Sequence, residues 1–302
     1  MKTKFSIILI IIILCGMVIS CGVLMKVTDA TAQVAGAVGI IDQNTANAIS
    51  VSSRAIGSAA EEITPEQEYY IGRAVAANIL GSYRIWNGNR ALTTYLNHIC
   101  AAITINSPRP DVFNGYHVAI LDSNEINAFA TSGGHIFVTR GLINAARSED
   151  ALAGVIAHEV AHIQLQHSIK AIKNNRVTQA IMVTGTAAAG AVTGLDVNQL
   201  TDIFNETVGE IVQTLVTSGY SQSQELEADR TAIELMVSAG YNPSGLVDML
   251  RALSSVQTTG SGFGKTHPTP ERRISNAERT LRNHNVPDNS ASRQARFTAM
   301  TR

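Results

Sequence analysis

The chain has 302 residues, with 23 Lys and Arg against 24 Asp and Glu, 45% hydrophobic and 16% charged residues, and three cysteines. These numbers exclude a disulfide-stapled miniprotein, a collagen-like fibre and a highly charged disordered chain, each of which needs a composition absent here. The near-zero net charge also excludes nucleic acid as a partner bound through a broad basic surface.

Lys2 and Lys4 precede an apolar run that starts at Phe5 and leads into Val18-Ile19-Ser20-Cys21. A positive segment, a short apolar core and a small residue before a break describe a secretory signal peptide over residues 1–20. The cysteine after that small residue resembles a bacterial lipobox, which implies cleavage before Cys21 and lipid attachment to its thiol. An uncleaved anchor helix is the alternative, although the apolar run is slightly short for a full span. Either reading places the bulk of the chain outside the cytoplasm and tethered to a bilayer. Cys15 would leave with the signal and Cys21 would carry lipid, so Cys100 has no partner for an intramolecular disulfide.

Residues 21–60, rich in small residues, read as a tether. Thr64-Pro65-Glu66 has the character of an N-cap, an N1 proline and an acidic first turn, and predicts a helix to about Leu80. A second helix is expected over about 90–105. The segments from Tyr116 to Leu121 and from His135 to Arg140 suit strands, with a turn at Ser132-Gly133-Gly134. From Ser148, the spacing of Leu152, Val155, Ile156, Val160 and Ile163 is helical, with Glu149 and Asp150 in the first turn. A stretch from Thr178 to Leu195, rich in Ala, Gly, Val and Thr, reads as a buried hairpin or a lid, with a membrane-leaning loop as the alternative. Further helices are expected over about 222–238, ending at Ala239-Gly240, and from Ser244 to about Ser255. The polar residues 284–302 read as a frayed tail. Helices outnumber strands, so the expected class is α+β, mainly helical with a small sheet, and the main domain spans residues 61–283.

His158-Glu159-Val160-Ala161-His162 falls inside the strongly periodic helix. At about 100° per residue the two histidines lie about 40° apart around the axis and one turn apart along it, so both imidazoles project from one face. Two imidazoles so placed can share one Zn²⁺, with Glu159 as general base for a water. A catalytic zinc usually takes three protein ligands. His167 lies about 180° around a continuous helix from His158 and, with no glycine over 163–166, is assigned a solvated or outer-layer place. The better third ligand is Glu225. It lies one helical turn from Asp229, which is suited to accept the free N–H of a ligand histidine, whereas Glu227 points elsewhere.

The pair of segments His158 to His162 and Glu225-Leu226-Glu227-Ala228-Asp229 resembles the gluzincin peptidases of metallopeptidase family forty-eight, their periplasmic lipoprotein members in particular. Asn127-Ala128-Phe129-Ala130, the run from Gly133 to Ile143, and Thr266-His267-Pro268 followed by Arg273-Ile274 agree with it. The resemblance covers about residues 60–283 and implies a zincin-like fold and a zinc endopeptidase of the cell envelope, facing the periplasm and acting on unfolded or extended polypeptide. It implies zinc ligands at His158, His162 and Glu225, a general base at Glu159 and an outer carboxylate at Asp229. The strand carrying Gly134, His135 and Ile136 is then expected to be a sheet edge that pairs with substrate. His267 is expected near the active site, as an oxyanion donor or as a fourth ligand that blocks the water position, with a turn histidine before Pro268 as the alternative. Arg273 is expected to anchor its segment by an ion pair. A non-proteolytic envelope assembly factor with a gated or structural zinc site is the rival function.

Overall fold

The computed structural model describes residues 33–35, 37, 63–170, 208–209, 211–256, 262–267, 270–284 and 290–301. Cys21, the expected signal segment and the stretch from Thr178 to Leu195 lie outside the described residues. Among the described residues no helix is long and apolar enough to cross a membrane. The elements below belong to one compact unit, Thr64–Lys170 with Asp202–Arg302.

Helix α1 (Pro65–Ser82) starts with Pro65 at its first position and a reciprocal cap. Thr64 accepts from the Gln67 backbone, and the Gln67 side chain accepts from the Thr64 backbone. Helix α2 (Arg90–Thr104) is capped by Asn89 and buries Leu92, Leu96, Ile99 and Ile103 on one face. Three strands follow: β1 (His117–Leu121), β2 (Ala128–Thr131) and β3 (His135–Thr139). Their order is β1-β3-β2, with β3 parallel to β1 and antiparallel to β2. The expected edge position of Gly134, His135 and Ile136 is therefore corrected. His135 and Ile136 sit on the central strand, paired with His117 and Val118 on one side and with Thr131 and Ala130 on the other. A strand hydrogen-bonded on both sides has no free edge for a substrate. The tight β2–β3 turn depends on Gly133 and Gly134, at φ 78° and 100°, a region that side chains rarely adopt.

Helix α3 (Arg140–Ala145) leads to α4 (Glu149–Gln164), which Ser148 caps and which is buried from Glu149 to Ile163. A short π-helical turn (Thr214–Ser218) precedes α5 (Gln222–Ser238), which opens on a capping box from Ser221 and Gln224. Helix α6 (Ser244–Val256) follows Gly240 at φ 76°. Helices α5 and α6 pack on α4, and the α4–α6 approach needs Gly154, because a β-carbon there would lie 2.8 Å from the Leu246 Cα. The short α7 (Phe263–Thr266), α8 (Pro270–Leu281) and α9 (Ser290–Thr301) complete the unit. Helix α9 replaces the frayed tail expected from composition. Arg296 Nη2 lies 2.6 Å from Glu149 Oε1, Arg293 Nε lies 2.8 Å from Asp150 Oδ1, and Phe297 is buried in the core. Its basic residues thus meet the acidic first turn of α4, a contact invisible when the two segments are read separately. Cys100 is buried and free, and burial pushes its thiol up to about 12.

Candidate metal centre

Helix α4 carries His158, Glu159 and His162 across its middle, and all three are fully buried. Helix α5 crosses α4 and brings Glu225 to the same place from its first turn. His267 enters from the C-terminal end of α7, which is pinned to the sheet by two contacts. The Phe263 N–H donates to the Ile126 carbonyl at 2.7 Å, and the Thr266 hydroxyl donates to Asn127 Oδ1 at 3.2 Å. Ligand atoms of His158, His162, Glu225 and His267 all lie within 4.8 Å of one another.

The two α4 histidines turn Nε2 inward, 3.1 Å apart. Glu225 lies 3.5 Å from each, through Oε2 to His158 and Oε1 to His162. His267 faces the cluster with Nδ1, 3.1 Å from Glu225 Oε1 and 3.3 Å from His158 Nε2. Phe263 stacks on His267 at 4.1 Å and Tyr220 on His162 at 4.1 Å, which limits rotation of both rings. Glu159 Oε1 is buried and has no hydrogen-bond partner among the described residues; His267 Nε2 stands 3.5 Å away, long for a hydrogen bond. An orphaned carboxylate oxygen beside converging imidazoles is a costly arrangement unless a ligand or water engages it. Imidazole nitrogens with a single carboxylate form a donor set that suits zinc, so the residues present fit that ion.

Outside the cluster, His158 Nδ1 lies 3.0 Å from Asp229 Oδ1. Arg273, from α8, is fully buried and grips Asp229 through Nε at 2.8 Å and Nη2 at 2.7 Å, while its Nη1 lies 2.9 Å from Glu225 Oε2. The ion pair expected for Arg273 thus falls against the site carboxylates themselves. Burial and the Arg273 charge push His158 toward its neutral form, but hydrogen bonds to Asp229 and Glu225 outweigh them and raise it to about 9. Burial holds His162 well below its ordinary value and raises Glu159 above the usual carboxylate range. Burial would raise Glu225 and Asp229 as well, yet His267 and Arg273 hold Glu225 well below its ordinary value, and Arg273 holds Asp229 below its own.

The structure brings His158, Glu159, His162, Glu225, Asp229 and His267 together, and sets Gly134 in the β2–β3 turn and His135 and Ile136 on the central strand. Asn127, whose side chain links β2 to the His267 segment, went unassigned in the sequence reading. Its place inside the shared Asn127-Ala128-Phe129-Ala130 run was the available signal.

The family model of Peptidase family M48 matches residues 89–281. The chain is 26% identical over 230 residues to the beta-barrel assembly-enhancing protease of Escherichia coli (strain K12), covering 73% of this chain and 45% of that protein. It is 31% identical over 152 residues to metalloprotease LoiP of the same organism, covering 50% and 57%. It is also 29% identical over 196 residues to the mitochondrial metalloendopeptidase OMA1 of Schizosaccharomyces pombe, covering 63% and 53%. The chain spans about half the length of the curated relatives it matches. The family match runs from the start of α2 to the end of α8 and encloses every residue of the buried cluster, so the chain belongs to Peptidase family M48.

Proposed function

We propose that this chain is a zinc-dependent endopeptidase, held at the bacterial cell envelope by lipid on Cys21 and facing the periplasm, that cleaves unfolded or misassembled envelope proteins. The observation that carries the reading is the convergence of the His158, His162, Glu225 and His267 donor atoms beside the unpartnered Glu159 carboxylate oxygen. His158, His162 and Glu225 would hold the ion, and Asp229, itself clamped by Arg273, would fix the His158 tautomer. When bound, zinc supplies Lewis acidity to the scissile carbonyl and to water. Glu159 takes a proton from the water as its oxygen bonds to the carbonyl carbon, and hands that proton to the amine nitrogen as the C–N bond breaks. Burial raises Glu159 above its ordinary value, which favours its taking up the proton. Strand β2, paired on one side only among the described residues and linked through Asn127 to the His267 segment, is where an extended substrate would add. Relatives named as a beta-barrel assembly-enhancing protease and as metalloproteases support an envelope polypeptide as the substrate class.

A second reading is favoured by one observation. His267 Nδ1 lies among the ligand atoms rather than across from them, so as a fourth ligand it would close the position that water needs. The enzyme would then rest in a latent state. The test of the main reading is cleavage of an unfolded protein such as casein by the detergent-solubilised full chain, with and without a chelator, alongside labelling of wild type and Cys21→Ala with a radioactive fatty acid. Chelator-sensitive cleavage and label confined to wild type are expected. Cleavage that survives chelation, or label retained by Cys21→Ala, would contradict the corresponding part.

A further inference from the structure

His162 uses only one of its ring nitrogens toward the cluster. Its Nδ1 points the other way and lies 2.8 Å from Nδ1 of His167, a residue 1% exposed. The far nitrogen of His167, Nε2, lies 3.3 Å from Glu227 Oε2, and the Glu227 side chain is 44% exposed. Two imidazole nitrogens 2.8 Å apart must share one proton, with one ring donating and the other accepting. A neutral histidine that offers Nε2 to a cation carries its proton on Nδ1. His162 Nδ1–H therefore donates to His167 Nδ1, the proton of His167 is on Nε2, and that N–H donates to the Glu227 carboxylate.

We propose that His167 and Glu227 are positioning residues for His162, a relay from ring to ring to carboxylate that fixes its tautomer and orientation. They would do for His162 what Asp229 does for His158. The proposal rests on the zinc-site reading above. The backbone is bent to make the contact possible. On a continuous helix His167 would face away from the site. Helix α4 instead ends at Gln164, and Gln166 adopts φ 54°, the one positive value at a non-glycine position among the described residues. Two side chains hold that reversal. Arg109 Nη1 donates to the Ile163 carbonyl at 3.1 Å, while Glu68 accepts from Arg109 Nη2 at 2.9 Å and from Gln166 Nε2 at 3.1 Å. Strain held by a half-buried ion pair, next to a histidine directed at a proposed ligand, marks the bend as serving the site.

The test measures zinc affinity of the full chain in detergent by competition with a chromogenic chelator, for wild type, Glu227→Gln, Glu227→Leu and His167→Ala. Glu227→Leu and His167→Ala should weaken zinc binding by about 10- to 100-fold, and Glu227→Gln, which keeps an acceptor oxygen, should stay near wild type. Nitrogen NMR of the zinc-loaded wild type should show His167 protonated at Nε2. Because Glu227 is half exposed, its variants test the relay even if His167→Ala fails to fold. Wild-type affinity in Glu227→Leu, or His167 protonated at Nδ1 in the wild type, would overturn the relay while leaving the zinc site standing. A wild type that takes up no zinc would overturn the site and the relay together.

Discussion

Among single residues, the pairing of Asp229 with Arg273 carries the heaviest electrostatic burden, because both groups are fully buried and hydrogen-bonded to each other through two nitrogens. Removing the Asp229 charge leaves the buried Arg273 with Glu225 as its one carboxylate partner among the described residues, so Asp229→Asn should destabilise the fold by about 3 kcal/mol in urea melts at pH 7. The Arg273 charge lowers Asp229 in the folded state, so this contribution is complete above the unfolded carboxylate value near 4. It is lost as pH falls through that region toward the lower folded value, and the gap between wild type and variant should narrow there. His267 gives a second prediction. With three ligands left, His267→Ala should retain zinc and cleave casein faster than wild type, whereas zinc retained with slower cleavage would assign His267 to the oxyanion. The histidine pair, Glu159, Glu225 and Asp229 were legible in the sequence because helical spacing fixes which side chains share a face. The partners of Arg273 and Glu227 were not, since they depend on how α8 crosses α5 and on the reversal at Gln166, and no local spacing encodes either.

At the scale of elements, the start of α1 was legible from its capping residue Thr64 and that of α4 from Ser148 and the acidic turn after it, whereas the caps Asn89 and Ser221 of α2 and α5 emerged only in the structure. Strand order was not. His135 to Thr139 alternates with neighbours that only the three-dimensional sheet reveals, and a four-residue strand such as β2 carries little pattern of its own. Helix α9 was misread because most of its stabilising groups are charged. Arg293 and Arg296 meet Asp150 and Glu149, and Phe297 is the main apolar anchor. If α9 holds the first turn of the site helix, Phe297→Ala should cost about 3–5 kcal/mol, measured as a lowered thermal midpoint of the metal-free protein. A loss below 1 kcal/mol would mean that α9 is not seated on the core.

Across the whole molecule, zinc bound at the proposed site would be linked to fold stability. An ion bound to the folded state and not to the unfolded chain adds about 4 kcal/mol when free zinc exceeds its dissociation constant a thousandfold. Chelation should therefore lower the melting temperature by several degrees, and an unchanged melt would contradict a site built from buried donors of three segments. Within the charged residues of the sequence, the Glu225 and Asp229 carboxylates face Arg273 inside the protein instead of forming a charged surface. The most direct test of the central claim is zinc content and casein cleavage measured together for wild type and Glu159→Gln. The account predicts about one zinc per chain in both and at least a hundredfold loss of cleavage in the variant. Zinc-loaded Glu159→Gln that cleaves at the wild-type rate would contradict it.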